Sequence, residues 1–184
     1  MQARVFWIPG PWRGRLGIVP RPRGGEWLDD ETRAWREAGI DIIVSLLEPR
    51  EETEFALAGE STSSAASGLE FRSFPILDRG VPNSHESVAE LASHIVNALH
   101  SGKNVALHCR QGIGRSALIA AAALVVGGHD PETALQTIGR ARGFEVPETN
   151  AQRRWISDFS SWLATVRAAL PDAAADRPRR RLRG

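Results

Sequence analysis

The chain has 184 residues, of which 42% are hydrophobic and 24% charged, the size of about one domain and the make-up of ordinary globular proteins. That excludes a chain disordered throughout, a collagen and a helical membrane protein, because the longest apolar run, residues 117–126, is about half of the roughly 20 residues a span needs. Lys103 is the only lysine among 23 basic residues, the formal net charge is +1, and Arg177, Arg179, Arg180, Arg181 and Arg183 crowd the last eight positions, so the body is mildly acidic and the basic signal is a tail.

A single cysteine, Cys109, leaves no internal disulfide and no cysteine-cluster metal site. No basic-then-apolar leader opens the chain, and a cytoplasmic protein is the expectation. Much alanine and arginine with one lysine hints at a GC-rich bacterial genome. The tail, residues 169–184, is expected to be disordered. It could hold a weak acidic partner such as nucleic acid or lipid, although such tails are more often only solvated.

In chain order, residues 3–7 and 15–19 predict two short strands split by Pro9-Gly10-Pro11. Residues 27–38 predict a helix with Asp29, Asp30 and Glu31 near its positive end. Residues 41–47 are nearly all aliphatic and predict a buried strand. A short helix is expected over 50–59, then a mobile loop over the Ser-, Ala- and Gly-rich stretch 60–68. Residues 69–74 alternate as a strand, and 75–83 form a loop. Val88, Leu91, Ala92, Ile95, Val96 and Leu99 keep helical spacing up to Gly102. A strand over 104–108 is followed by a tight turn and an apolar helix from Arg115 to Val126. Two more helices follow, over 131–142 and around Trp155, Ile156, Phe159, Trp162, Leu163 and Val166. Strands alternating with helices predict one layered α/β domain over residues 1–168, with a central, mostly parallel sheet flanked by helices.

The chemistry is concentrated in His108-Cys109-Arg110-Gln111-Gly112-Ile113-Gly114-Arg115-Ser116. A turn between a strand end and a helix start aims several backbone N–H groups at one point. Gly112 and Gly114 permit the dihedrals such a cradle needs. Residues 110–115 would hold a tetrahedral oxyanion there, with Arg115 gripping two of its oxygens. Cys109 would lie at the floor, where amides and helix dipole favour a thiolate; such surroundings bring a cysteine from about 8.5 to roughly 3.5–7.5. Ser116 would donate to the sulfur and ease its departure.

This segment resembles the His-Cys-x5-Arg-Ser/Thr loop of the cysteine-dependent protein tyrosine phosphatase superfamily, and the small chain is similar to its dual-specificity branch. The resemblance implies the fold of that branch and hydrolysis of phosphomonoesters through a phosphocysteine, with no metal or organic cofactor. The expected substrate is a protein phosphorylated on Tyr, Ser or Thr, or a small phosphoester. It also implies a general acid on a loop about 30 residues before the cysteine. Asp78, in Phe74-Pro75-Ile76-Leu77-Asp78-Arg79-Gly80-Val81-Pro82, occupies that place, although taken alone it could be a turn-forming aspartate. Asp78 would protonate the leaving oxygen and then activate water.

Gln152, in Pro147-Glu148-Thr149-Asn150-Ala151-Gln152, resembles a glutamine that positions the hydrolytic water; it also fits a capping box with Thr149. His108 is expected to turn its ring away from the phosphate and support the loop. Arg79 and Arg110 are expected at the mouth. Trp7, Trp12, Trp27, Trp35, Trp155 and Trp162 are expected in core or edge packing, with Trp12, beside Gly10, Pro11 and Arg13, the one that could come nearest a ligand. The absence of tyrosine leans towards a shallow cleft and dual specificity. Other readings on the same features are a phosphoinositide or RNA 5′-phosphate phosphatase, a non-catalytic phosphate-binding module and a sulfurtransferase. Cys109, Arg115, Ser116 and Asp78 together favour the enzyme over the last two. With no second cysteine, oxidation of Cys109 would have to be reversed through a sulfenamide or a glutathione adduct.

Overall fold

A computed structural model describes residues 2–169. The elements in order are β1 (Phe6–Ile8), β2 (Leu16–Ile18), a 3-10 turn (Gly25–Trp27), α1 (Leu28–Glu37), β3 (Ile42–Ser45), α2 (Pro49–Glu54), α3 (Glu60–Ala66), β4 (Glu70–Ser73), α4 (His85–His100), β5 (Val105–His108), α5 (Arg115–Val126), α6 (Pro131–Arg142) and α7 (Asn150–Ala169). The five strands form one sheet in the order β1-β2-β5-β3-β4. β1 pairs antiparallel with β2; the other pairings are parallel.

Side-chain alternation along the strands builds two cores. Val105, Leu107 and Cys109 face one side with Ile42, Val44 and Leu46, under α4 to α7. Ala106 and Ile43 face the other side with Trp35 of α1 and Val19. α5 is buried on almost every side between the sheet and α4, α6 and α7. The run of small side chains from Ala120 to Ala123 lets those helices approach closely. Local chemistry sets the ends. Ser84 accepts from Ser87 N–H at 3.1 Å to start α4. Asp130 caps α6, with Pro131 at its first position. Gly143 ends α6 at φ 81°.

One expectation changes here. Residues 60–66 are helical, not a mobile loop. Serine disfavours an isolated helix because its hydroxyl competes for backbone bonds. Two hydroxyls have a tertiary partner instead: Ser63 Oγ and, at the helix end, Ser67 Oγ each lie 2.9 Å from Thr32 Oγ1 of α1. Trp12 is a core residue, 9% exposed, packed over Gly10 and Gly127; it is nowhere on the pocket described below. The basic tail lies outside the described residues, apart from Ala169 at the end of α7. No helix among the described residues is long and apolar enough to cross a membrane.

Candidate active site

The chain after each of β3, β4 and β5 leaves the same edge of the parallel strands, the edge at which open α/β sheets place their ligands. These three segments meet around Cys109. The segments after β4 and β5, with Glu148 just ahead of α7, line a pocket of about 210 Å³ formed by Asp78, Arg79, Cys109, Arg110, Gln111, Gly114, Arg115 and Glu148.

Cys109 is at the floor, 3% exposed, and accepts a hydrogen bond from Gly112 N–H at 3.2 Å. Gly112 has φ +69°, a region that side chains other than glycine avoid. The expected bond from Ser116 to the sulfur is not formed: Ser116 Oγ is buried without a hydrogen-bond partner, and the Gly112 amide donates in its place. Ile113 turns into the main core. Arg142 of α6 holds the loop from behind, Nε to Gly112 O at 3.0 Å, its guanidinium 3.8 Å from the Phe6 ring.

Arg115 is the largest fully buried side chain. Its guanidinium lines the pocket and is held by two carboxylates and by backbone carbonyls. Nη1 donates to Glu51 Oε2 at 2.6 Å and to Ile76 O at 3.0 Å; Nη2 donates to Glu51 Oε1 at 2.9 Å and to Asp78 Oδ1 at 2.8 Å. Glu51, 2% exposed, is the residue that sequence reading misses. Burial works to raise its carboxyl, but the bonds from Arg115 and from Glu48 N–H outweigh that and hold it below the ordinary range. Burial likewise opposes the charge on Arg115, and Glu51, the Cys109 sulfur and Asp78 restore it.

Asp78 is therefore tied to the arginine of the cradle, and its own N–H reaches Glu48 Oε2 at 3.3 Å. Gln152 does not line the pocket. It is fully buried and completes a capping box, its Oε1 accepting from Thr149 N–H at 3.3 Å and its N–H donating to Thr149 Oγ1 at 3.2 Å. Its Nε2 donates to Gly80 O at 2.9 Å, in the loop that carries Asp78. Gly114 makes room for it: a Cβ there would meet Gln152 Nε2 at 2.9 Å. His108 points to the opposite face of the sheet, with Nε2 2.7 Å from Glu60 Oε1, both groups buried, in an approach off line for a hydrogen bond. At the rim, Arg110 pairs with Glu54 at 3.2 Å and Arg79 with Glu148 at 3.4 Å. Among the described residues, no cluster of three or more His, Cys, Asp or Glu side chains could hold a metal ion.

Several known proteins are similar to this chain. Human cyclin-dependent kinase inhibitor 3 is 25% identical over 139 residues, 74% of this chain and 65% of that protein, so the chain spans less than two thirds of that relative's length. Kinase-associated phosphatase superposes with a TM-score of 0.79 at 21% identity, over 89% of this chain and 97% of that one. Tk-PTP in its active form gives 0.69 at 27% identity, over 85% and 96%. PTPMT1 in complex with PI(5)P gives 0.70 at 22%, also over 85% and 96%. The family model Tc-R-P, described as polymorphic toxin system, DSP-PTPase phosphatase, matches residues 19–129, more than half of the chain. On that match, the chain belongs to the DSP-PTPase phosphatase family of polymorphic toxin systems.

Proposed function

We propose that this phosphatase hydrolyses phosphomonoesters, with phosphorylated protein side chains as the substrate class, through a phosphocysteine on Cys109. The observation that carries the reading is the convergence on one pocket of the contiguous Cys109–Arg115 loop and Asp78, which comes from a separate part of the chain. In the first step the Cys109 sulfur attacks phosphorus, and the bond from phosphorus to the leaving oxygen breaks. Asp78 gives that oxygen its proton. The phosphoryl oxygens take the amides of residues 110–115 and compete with Asp78 for Arg115 Nη2, which frees the carboxyl for proton transfer. In the second step Asp78 takes a proton from water, water oxygen attacks phosphorus, and the thiolate leaves. Glu51 keeps Arg115 aimed at the cradle throughout.

A phosphoinositide substrate is the second reading, on the scaffold shared with PTPMT1, whose structure contains PI(5)P. The rim favours the first. Arg110 and Arg79 are each matched by a carboxylate, Glu54 and Glu148, so an anionic membrane would meet a mouth without net positive charge.

The test is hydrolysis of 4-nitrophenyl phosphate in the presence of a chelator, followed by phosphopeptide against phosphoinositide. The reading expects full turnover with chelator and faster release of phosphate from the peptide. Loss of turnover on chelation, or a folded protein that turns over neither substrate, contradicts it.

A further inference from the structure

The loop that carries Asp78 is held from one side by a single segment. Glu148 Oε1 lies 3.4 Å from Arg79 Nε. Gln152 Nε2 donates to Gly80 O at 2.9 Å. Trp155 Nε1 donates to Pro82 O at 3.0 Å, in a buried contact. Gln152 and Trp155 are three apart on α7, so both look out from one face of the helix. The loop needs such support. Residues 74–83 form no helix or strand, and Arg79 holds φ +58°, a region that costs a residue with a side chain. Gln152 is fully buried, and its amide oxygen is engaged by Thr149 N–H. Its amide thus joins the helix start to the loop and does not reach into the pocket.

We propose that Gln152 and Trp155 are positioning residues that clamp the acid loop, so that Asp78 stands over Cys109 when substrate binds. This rests on Asp78 being the general acid. A clamp differs in its kinetics from a residue that places the hydrolytic water. kcat/KM covers events up to transfer of the phosphoryl group to cysteine; hydrolysis of the phosphocysteine enters kcat only. A water-placing residue therefore lowers kcat and spares kcat/KM. A clamp lowers kcat/KM, and does so only where the leaving oxygen needs a proton.

The experiment measures kcat/KM for aryl phosphates graded from 4-nitrophenol to phenol as leaving group. The proteins are wild type, Gln152→Met, Trp155→Phe, Asp78→Asn and the Gln152→Met/Asp78→Asn double variant. Trp155→Phe removes the N–H and keeps an aromatic ring for the stack on Phe159, so it serves as an independent probe should Gln152→Met fold poorly. The clamp predicts that each single loop-contact variant loses on the order of 10- to 100-fold on phenyl phosphate and about twofold or less on 4-nitrophenyl phosphate. It predicts no further loss from Gln152→Met once Asp78 is Asn, because two changes acting through one group do not add. Equal losses along the series, a loss that persists in the Asp78→Asn background, or a fall in kcat alone overturns the clamp and leaves the acid assignment intact. If Asp78→Asn is itself indifferent to the leaving group, both fall.

Discussion

Cys109→Ser is expected to lower turnover of 4-nitrophenyl phosphate by on the order of 10⁴-fold or more, the scale seen when a nucleophile is removed from an enzyme. The thiolate is the reactive form of cysteine, whereas a serine hydroxyl in the same place holds its proton at neutral pH. No neighbouring side chain would remove it. His108 faces away against Glu60, and Asp78 is tied to Arg115. Binding should survive, because the amides and Arg115 are untouched. Steady-state kinetics with inorganic phosphate as a product inhibitor separate the two effects. The account expects the collapse in kcat with an inhibition constant that moves less than about tenfold. A serine variant that keeps more than about 1% of the activity would place the nucleophile elsewhere.

Glu51→Ala is expected to damage stability and activity together. Glu51 and Arg115 are each 2% exposed, and the carboxylate takes two bonds from the guanidinium. Removing one partner of such a pair strands the other charge in the interior, which costs about 3–5 kcal/mol. For a domain of this size that lowers the melting temperature by on the order of 10 °C. Freed from Glu51, Arg115 loses its aim, and a misplacement of about 1 Å can lower kcat/KM on the order of 100-fold. Thermal unfolding and kinetics at a permissive temperature check the two halves; a melting temperature within about 2 °C of wild type would mean that the pair is not buried in solution.

The pair also sets a pH dependence. The folded-state value of Glu51 is lowered, so its contribution is complete above the ordinary glutamate value of about 4.3 and is lost as the pH falls through the lower folded value. The stability advantage of wild type over Glu51→Gln should be full near neutrality and shrink on acidification below about pH 4.

Most of the fold was legible because its signals are local. The short aliphatic runs at 42–44 and 105–107 read as buried strands, and Asp130-Pro131 with Gly143 frames α6 by capping chemistry. α3 was not legible. Its helix depends on Ser63 meeting Thr32 of α1, a tertiary fact that serine content cannot announce. In the site, the cradle is one contiguous segment, so its spacing carries the geometry. Glu51 is different. It reads as one more glutamate in a short polar helix, and the available signal, a capping box with Glu48 ahead of Pro49, points to helix initiation and not to Arg115, 64 residues on. Gln152 was ambiguous between cap and active site; the structure places it in the capping box and also against Gly80, a partner 72 residues away.

The measurement that bears most directly on the phosphocysteine mechanism is capture of the intermediate. Wild-type protein turning over 4-nitrophenyl phosphate is quenched in acid within the first turnovers, digested, and searched by mass spectrometry for a phosphoryl group. The account predicts one phosphoryl group, on the peptide that carries Cys109, and none there in Cys109→Ser. A phosphoryl group on another residue, or sustained turnover with no adduct at Cys109, would contradict it.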